Sequence, residues 1–353
     1  MRLPLVPPAA ACALALAGAA CSSPSAPATG PGTDAAGPDE ASGASTKDAT
    51  AGDAAAPTSD ATSPGDVGAS QDASSPPPSD GGLPDAYGPV EDGGEFVQFV
   101  ASDETTYFDE SQQTTPTGTI AFGVADPAAS DGEVATLTRT GGQTTIGTGG
   151  AEEIVSNRSF SYGTFRYRFQ LASCKTTEEL VNGLFTYFND GSTAPDGLTI
   201  NREVDIEILC GEPQLINLTI WTEYDSDTKC KNQSRVIDTT TGTVYVYADD
   251  QSNGDQTGMT SDPQLVIPGF PAAATFYEMG FTWTPTDLTY FMNIGGSYVT
   301  LWEATDATRI PQAPMAQHFN LWAPGISWST GDTEPPPAGS STLTLDWFRY
   351  DPL

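Results

Sequence analysis

The chain is short of positive charge. Lys and Arg number 13 against 46 Asp and Glu, and the formal net charge is −33. A phosphate backbone is held by Lys and Arg, so a nucleic-acid partner is excluded. Histidine occurs once, at His318, and the five cysteines form no CxxC pair, which leaves no zinc-ligand pattern. Long apolar runs are also missing: Ala9 to Ala20 is too short and too alanine-rich to span a bilayer. No long stretch carries a helical period. Residues 22–92 are nearly all Ala, Ser, Pro, Gly, Thr and Asp, with almost no large apolar side chain to build a core.

What is present falls into three parts. Residues 1–21 read as an export signal: Arg2, then an apolar stretch, then the small residues Gly18-Ala19-Ala20. Cys21 follows directly, as in a bacterial lipoprotein, where it becomes the lipidated first residue. The alternative is ordinary secretion with Cys21 incidental. Either way the expected location is outside the cytoplasm, lipid-anchored to the envelope or secreted, with membrane contact only through Cys21. Residues 22–92 then act as a spacer of roughly 45–50 Å if treated as a flexible coil. Residues 93–353 form the globular part, for which a monomer is expected.

In that part aromatic and β-branched residues recur every few positions between Gly, Asn, Asp and Pro. Candidate strands lie at 134–140, 163–171, 183–189, 203–209, 214–222, 243–248, 277–283, 288–293, 315–322 and 341–350. Many short strands without helices predict an all-β sandwich or barrel. If 163–171, 183–189 and 203–209 form a meander, Cys174 and Cys210 emerge at one end and can bridge. A Cys210–Cys230 bridge competes.

The densest chemistry is Glu203-Val204-Asp205-Ile206-Glu207. Alternation puts the three carboxylates on one strand face and the apolar residues on the other. Retaining glycosidases need two carboxyl groups about 5–5.5 Å apart. Glutamates at i and i+4 have Cα atoms roughly 13 Å apart on a flat strand, and inward-leaning side chains on a strand bent toward its cleft close that gap. Crowding keeps a proton on the group, and Asp205 is the electrostatic partner of the pair. A solvated strand face would show the same motif, so its surroundings must decide.

Those surroundings resemble glycoside hydrolase family 16, the laminarinase, lichenase and xyloglucan transglycosylase group. The similarity covers about residues 130–353. After the acidic strand's own signature, it is carried in order by Tyr162-Gly163-Thr164-Phe165, Gly183-Leu184-Phe185-Thr186-Tyr187, Phe281-Thr282-Trp283-Thr284-Pro285, Asn320-Leu321-Trp322 and Leu345-Asp346-Trp347. The resemblance implies a concanavalin A-like β-jelly-roll sandwich with a substrate cleft across a concave sheet. It implies a retaining endo-β-glucanase acting on β-1,3-1,4 or β-1,3 glucan. Glu203 would be the nucleophile, Glu207 the general acid/base and Asp205 the assistant of Glu203. A transglycosylase using the same site, or a non-catalytic glycan-binding module, are the alternatives.

By the same likeness Glu153, Phe185, Tyr187, Asn217, Trp221, Asn320 and Trp322 are substrate-binding positions. For Phe185 and Tyr187 the competing reading is core aromatics. No cofactor is required. Asp346 matches a structural calcium ligand, against the reading of a strand-end aspartate, since calcium takes six or more oxygens. His318 shares the parity of Asn320 and Trp322 and could line the cleft, against the commoner reading of a structural histidine. The family often has Arg where this chain has Val155, and residues 223–275 are longer than the lichenase equivalent.

Overall fold

The computed structural model describes residues 93–109, 118–142, 151–195, 197–225, 229–247, 256–272, 274–324 and 334–353. The signal, Cys21 and the spacer lie outside them.

Seventeen strands follow in chain order: β1 (Glu95–Val97), β2 (Phe108–Asp109), β3 (Gly118–Ala125), β4 (Glu133–Arg139), β5 (Ala151–Phe160), β6 (Gly163–Gln170), β7 (Val181–Phe188), β8 (Thr199–Leu209), β9 (Leu215–Asp225), β10 (Lys229–Asp238), β11 (Thr243–Tyr247), β12 (Gln256–Ser261), β13 (Tyr277–Trp283), β14 (Leu288–Ile294), β15 (Ser297–Ala304), β16 (Met315–Trp322) and β17 (Ser341–Pro352). They form two antiparallel sheets, a jelly-roll sandwich. One runs β15-β14-β13-β6-β17-β4-β3, with β1 added on β17, and the other runs β12-β11-β10-β9-β8-β7-β16-β5-β2.

Alternation drives this layering. In β8 the residues Val204, Ile206 and Ile208 are fully buried, as are Leu184 of β7, Ile216 and Leu218 of β9 and Phe319 and Leu321 of β16. The facing sheet answers with aromatics. Phe165 stacks on Phe281 at 4.6 Å, and Tyr167 stacks on Phe348 at 5.7 Å. Each such large side chain contributes about 1.5–3 kcal/mol by burial. Gln317 pins β16 inside this core, donating to the carbonyls of Phe185 and His318 at 2.9 and 2.8 Å.

Two expectations change. Strands 163–171, 183–189 and 203–209 are not one meander, because β6 lies in the other sheet. The chain crosses between layers after Gln170, yet it enters β7 beside the end of β8, where Val181 pairs Leu209. Cys174 therefore still reaches Cys210, and the two form a disulfide with Cα atoms 5.4 Å apart. That excludes Cys210–Cys230.

Asp346 is the second. It is the extra residue of a bulge between Leu345 and Trp347, where β17 meets β6. Its side chain is fully buried. Oδ1 accepts from Ser130 N at 3.0 Å and Ser130 Oγ at 2.9 Å, and Oδ2 is ion-paired with Arg168. These surroundings do not fit a calcium ion, because a guanidinium already supplies the positive charge at the carboxylate. Among the described residues the group with metal-ligand side chains is Cys174, Glu179 and Cys210, two of which are spent on the disulfide.

Candidate active site

The site lies on the face of the nine-stranded sheet that points away from the core, centred on β8. Register places the neighbours of each carboxylate. Glu203 sits between Tyr187 on β7 and Trp221 on β9, Asp205 between Phe185 and Thr219, and Glu207 between Gly183 and Asn217. Farther over on β16, Ala316 pairs Tyr187, His318 pairs Phe185 and Asn320 pairs Gly183. Glu153 of β5 pairs Asn320 in turn. The trio and all seven expected substrate-binding residues therefore share one face of one sheet.

The aromatics named on that face do not join the main cluster between the sheets. Phe185, Tyr187 and Trp221 lie outside it, and Trp322 packs only in a small separate cluster with Ala151, Val181 and Leu209. Phe185 and Tyr187 are buried, yet they stand beside the carboxylates and not in the cluster between the sheets.

A buried carboxyl between two half-buried ones on one strand face cannot ionise together with both of them at neutral pH. Burial pushes Glu203 up to about 8, and the charge of Glu207 adds to it. Burial likewise lifts Glu207 to about 7, while the Trp322 indole N–H, bonded to its carboxylate, opposes the rise. Asp205 is raised well above its ordinary range, by burial first and then by the charges of Glu203 and Glu207. It therefore keeps its proton and donates it to Glu203, which that bond favours as the anion. Trp221 donates to Asp205 from the other side. The trio titrates as one coupled group.

Asn201 is a site residue that the motif reading missed. It is buried and hydrogen-bonded to Glu203. Its signal was parity: 201, 203, 205 and 207 alternate on one strand face.

The remaining positions do not all act as expected. Glu153 is buried, and its Oε1 is 2.8 Å from His318 Nδ1. The His318 ring stacks on Phe185 at 4.9 Å and meets Tyr187 edge-on at 5.7 Å. His318 thus joins the site, and Glu153 reaches it through His318. Asn217 donates to the backbone carbonyl of Glu207 at 3.4 Å. Asn320 Oδ1 is buried without a hydrogen-bond partner among the described residues and hangs over Gly183. A face with carboxyls that hold a proton, flanked by aromatic rings and amides, has the parts of a carbohydrate-processing site.

No protein-family model matches this chain, and no curated protein matches it. Similar solved structures include a prokaryotic β-1,3-1,4-glucanase (lichenase) derived from a mouse hindgut metagenome, at 18% identity and TM-score 0.44, covering 74% of this chain and 99% of that one. A Bacillus licheniformis β-glucanase matches at 18% and 0.44 over 73% of this chain and 97% of its own. The apo Crh5 transglycosylase matches at 18% and 0.44 over 73% and 84%. Likeness at this level bears on no step of the chemistry.

Proposed function

We propose that this chain is a retaining endo-β-glucanase acting on β-1,3-1,4 or β-1,3 glucan. The observation that carries the reading is the trio itself: Glu203, Asp205 and Glu207 stand in one row of β8, with Asp205 hydrogen-bonded to Glu203 and Trp322 to Glu207. A carboxyl placed to give up a proton and a second placed to attack are what glycosidic cleavage with retention requires.

In the first step a Glu203 oxygen bonds to the anomeric carbon, and Glu207 gives its proton to the departing glycosidic oxygen. In the second, water adds to that carbon, its proton passes to Glu207, and the Glu203 ester breaks. Asp205 steadies the charge on Glu203 throughout.

The test uses purified protein on mixed-linkage glucan, laminarin and xyloglucan beside Glu203→Gln. New reducing ends from a β-glucan, absent in the variant, with a retained anomeric product by proton NMR, support the reading. An inverted product would sink it.

A second reading keeps the site and passes the glycosyl unit to another sugar. It is favoured by the strands that continue the site face beyond β9. Chain-length redistribution onto a tagged acceptor, without new ends, would select it.

Lipid attachment at Cys21 is part of the proposal and rests on the sequence pattern alone. Labelled fatty acid that enters the protein, and fails to enter Cys21→Ala, would support it.

A further inference from the structure

Beyond β9 the sheet continues through β10, β11 and β12, and the trio's face continues with it. Register carries one row across the strands. Glu207 pairs Asn217, Asn217 pairs Val236, Val236 pairs Tyr245 and Tyr245 pairs Met259. Paired residues share a face, so Tyr245 stands on the trio's side, three strand spacings or roughly 14 Å from Glu207. Tyr247, two residues along, shares that side.

The opposite face of these strands goes to the core. Ile237 is fully buried there and Val244 packs against the same cluster, which includes neither tyrosine. Both tyrosine rings are partly exposed, and Met259 beside them is 62% exposed. Neither phenol has a hydrogen-bond partner among the described residues. Two half-open aromatic rings and a bare methionine, in line with the trio and unused by the core, make an apolar surface that water covers poorly.

We infer that Tyr245 and Tyr247 are a second sugar platform, holding pyranose rings of the same β-linked glycan on the side of the trio opposite Phe185, Tyr187 and Trp322. The inference rests on the glycan-cleaving reading above. A glycan crossing the strands over Asp205 has the β7 and β16 aromatics under one half. Under its other half it meets Asn217, Thr219 and Ser234 and then the two tyrosines. Apolar C–H faces of sugar rings pack on aromatic rings, and the free phenols add hydrogen bonds at the rim. The platform explains why the chain spends three strands past β9 without adding to the carboxylate site.

The experiment uses the full chain carrying Glu203→Gln, run through native gels containing mixed-linkage β-glucan, laminarin or xyloglucan. Adding Tyr245→Ala with Tyr247→Ala should weaken retardation about tenfold, the size expected for lost ring packing. Tyr245→Phe with Tyr247→Phe should keep most of it. In the active enzyme the Ala pair should also shift the bonds cut in defined oligosaccharides, since only one half of the face still holds the chain. If the Ala pair melts early, Tyr245→Gln with Tyr247→Gln replaces it at similar bulk. Parent-like retardation and cutting positions in a folded variant overturn the platform and leave the glucanase reading standing. No retardation and no cleavage with any of the three polymers overturn both.

Discussion

His318 Nδ1 stands 2.8 Å from Glu153 Oε1, and the ring so held lies flat on Phe185. The carboxyl at Nδ1 fixes the orientation of the ring. On the proposed function, Glu153 and His318 would act as one unit. Glu153→Gln and His318→Ala should each lower kcat/KM, mainly through KM, by about 1–2 kcal/mol. The double variant should lose little more than either alone, because paired residues are not additive. Full additivity in a double-mutant cycle would separate the two.

The trio makes stability depend on pH. An acid whose folded pKa is raised favours the fold below its ordinary value, here 4.5 for a glutamate, and loses that contribution as pH rises through the folded value. Glu203 at about 8 and Glu207 at about 7 place the loss between roughly pH 5 and pH 8. Glu203→Gln should therefore melt higher than the parent at pH 9, by about 1–3 kcal/mol of stability, and nearly alike at pH 4. Thermal melts across that range check this, and a variant less stable at pH 9 would contradict the buried charge.

Gly183 faces Glu207 across the strand pair, and a Cβ there would meet Asn320 Oδ1 at 2.3 Å. Asn320 must then swing away from its place beside the trio. Gly183→Ala should cost about 1–3 kcal/mol of stability, as overpacking does, and at least about tenfold in kcat/KM through lost positioning. Retained activity with retained fold would show that Asn320 holds nothing.

The legible part of the fold was the part with clean alternation. Val204, Ile206 and Ile208 announce both β8 and the face that carries its acids, and the aromatic strand Gly183-Leu184-Phe185-Thr186-Tyr187 follows the same parity. Other strands hid because their chemistry breaks the pattern. In β5 the adjacent acids serve opposite faces: Glu152 lies against the buried Arg139 at 3.8 Å, and Glu153 turns to His318. In β10 the run Lys229–Asp238 has no apolar alternation to read. The surroundings of Asp346 hid because a bulge is invisible in sequence, and one extra residue re-aims side chains. Layer assignment hid for another reason: β6 and β7 are neighbours in sequence but belong to different sheets, which only long-range pairing decides.

The Cys174–Cys210 bridge closes a loop with sequence separation 36 and ties the crossover after β6 to the end of the site strand β8. Cross-linking a loop of that size stabilises by about 3–4 kcal/mol through the unfolded chain. Its second effect is local. Cys210 lies three residues past Glu207, and the Leu180 amide beside it donates to Cys210 Sγ at 3.1 Å, joining the start of β7 to the end of β8. Cys174→Ser with Cys210→Ser should thus lower the melting point. It should also lower activity at temperatures where the variant is still folded, because the pairing of Gly183 with Glu207 is no longer clamped from that end. Measuring kcat/KM and circular dichroism side by side, with and without reductant, separates the two effects. Activity that follows the folded fraction alone would confine the bridge to stability.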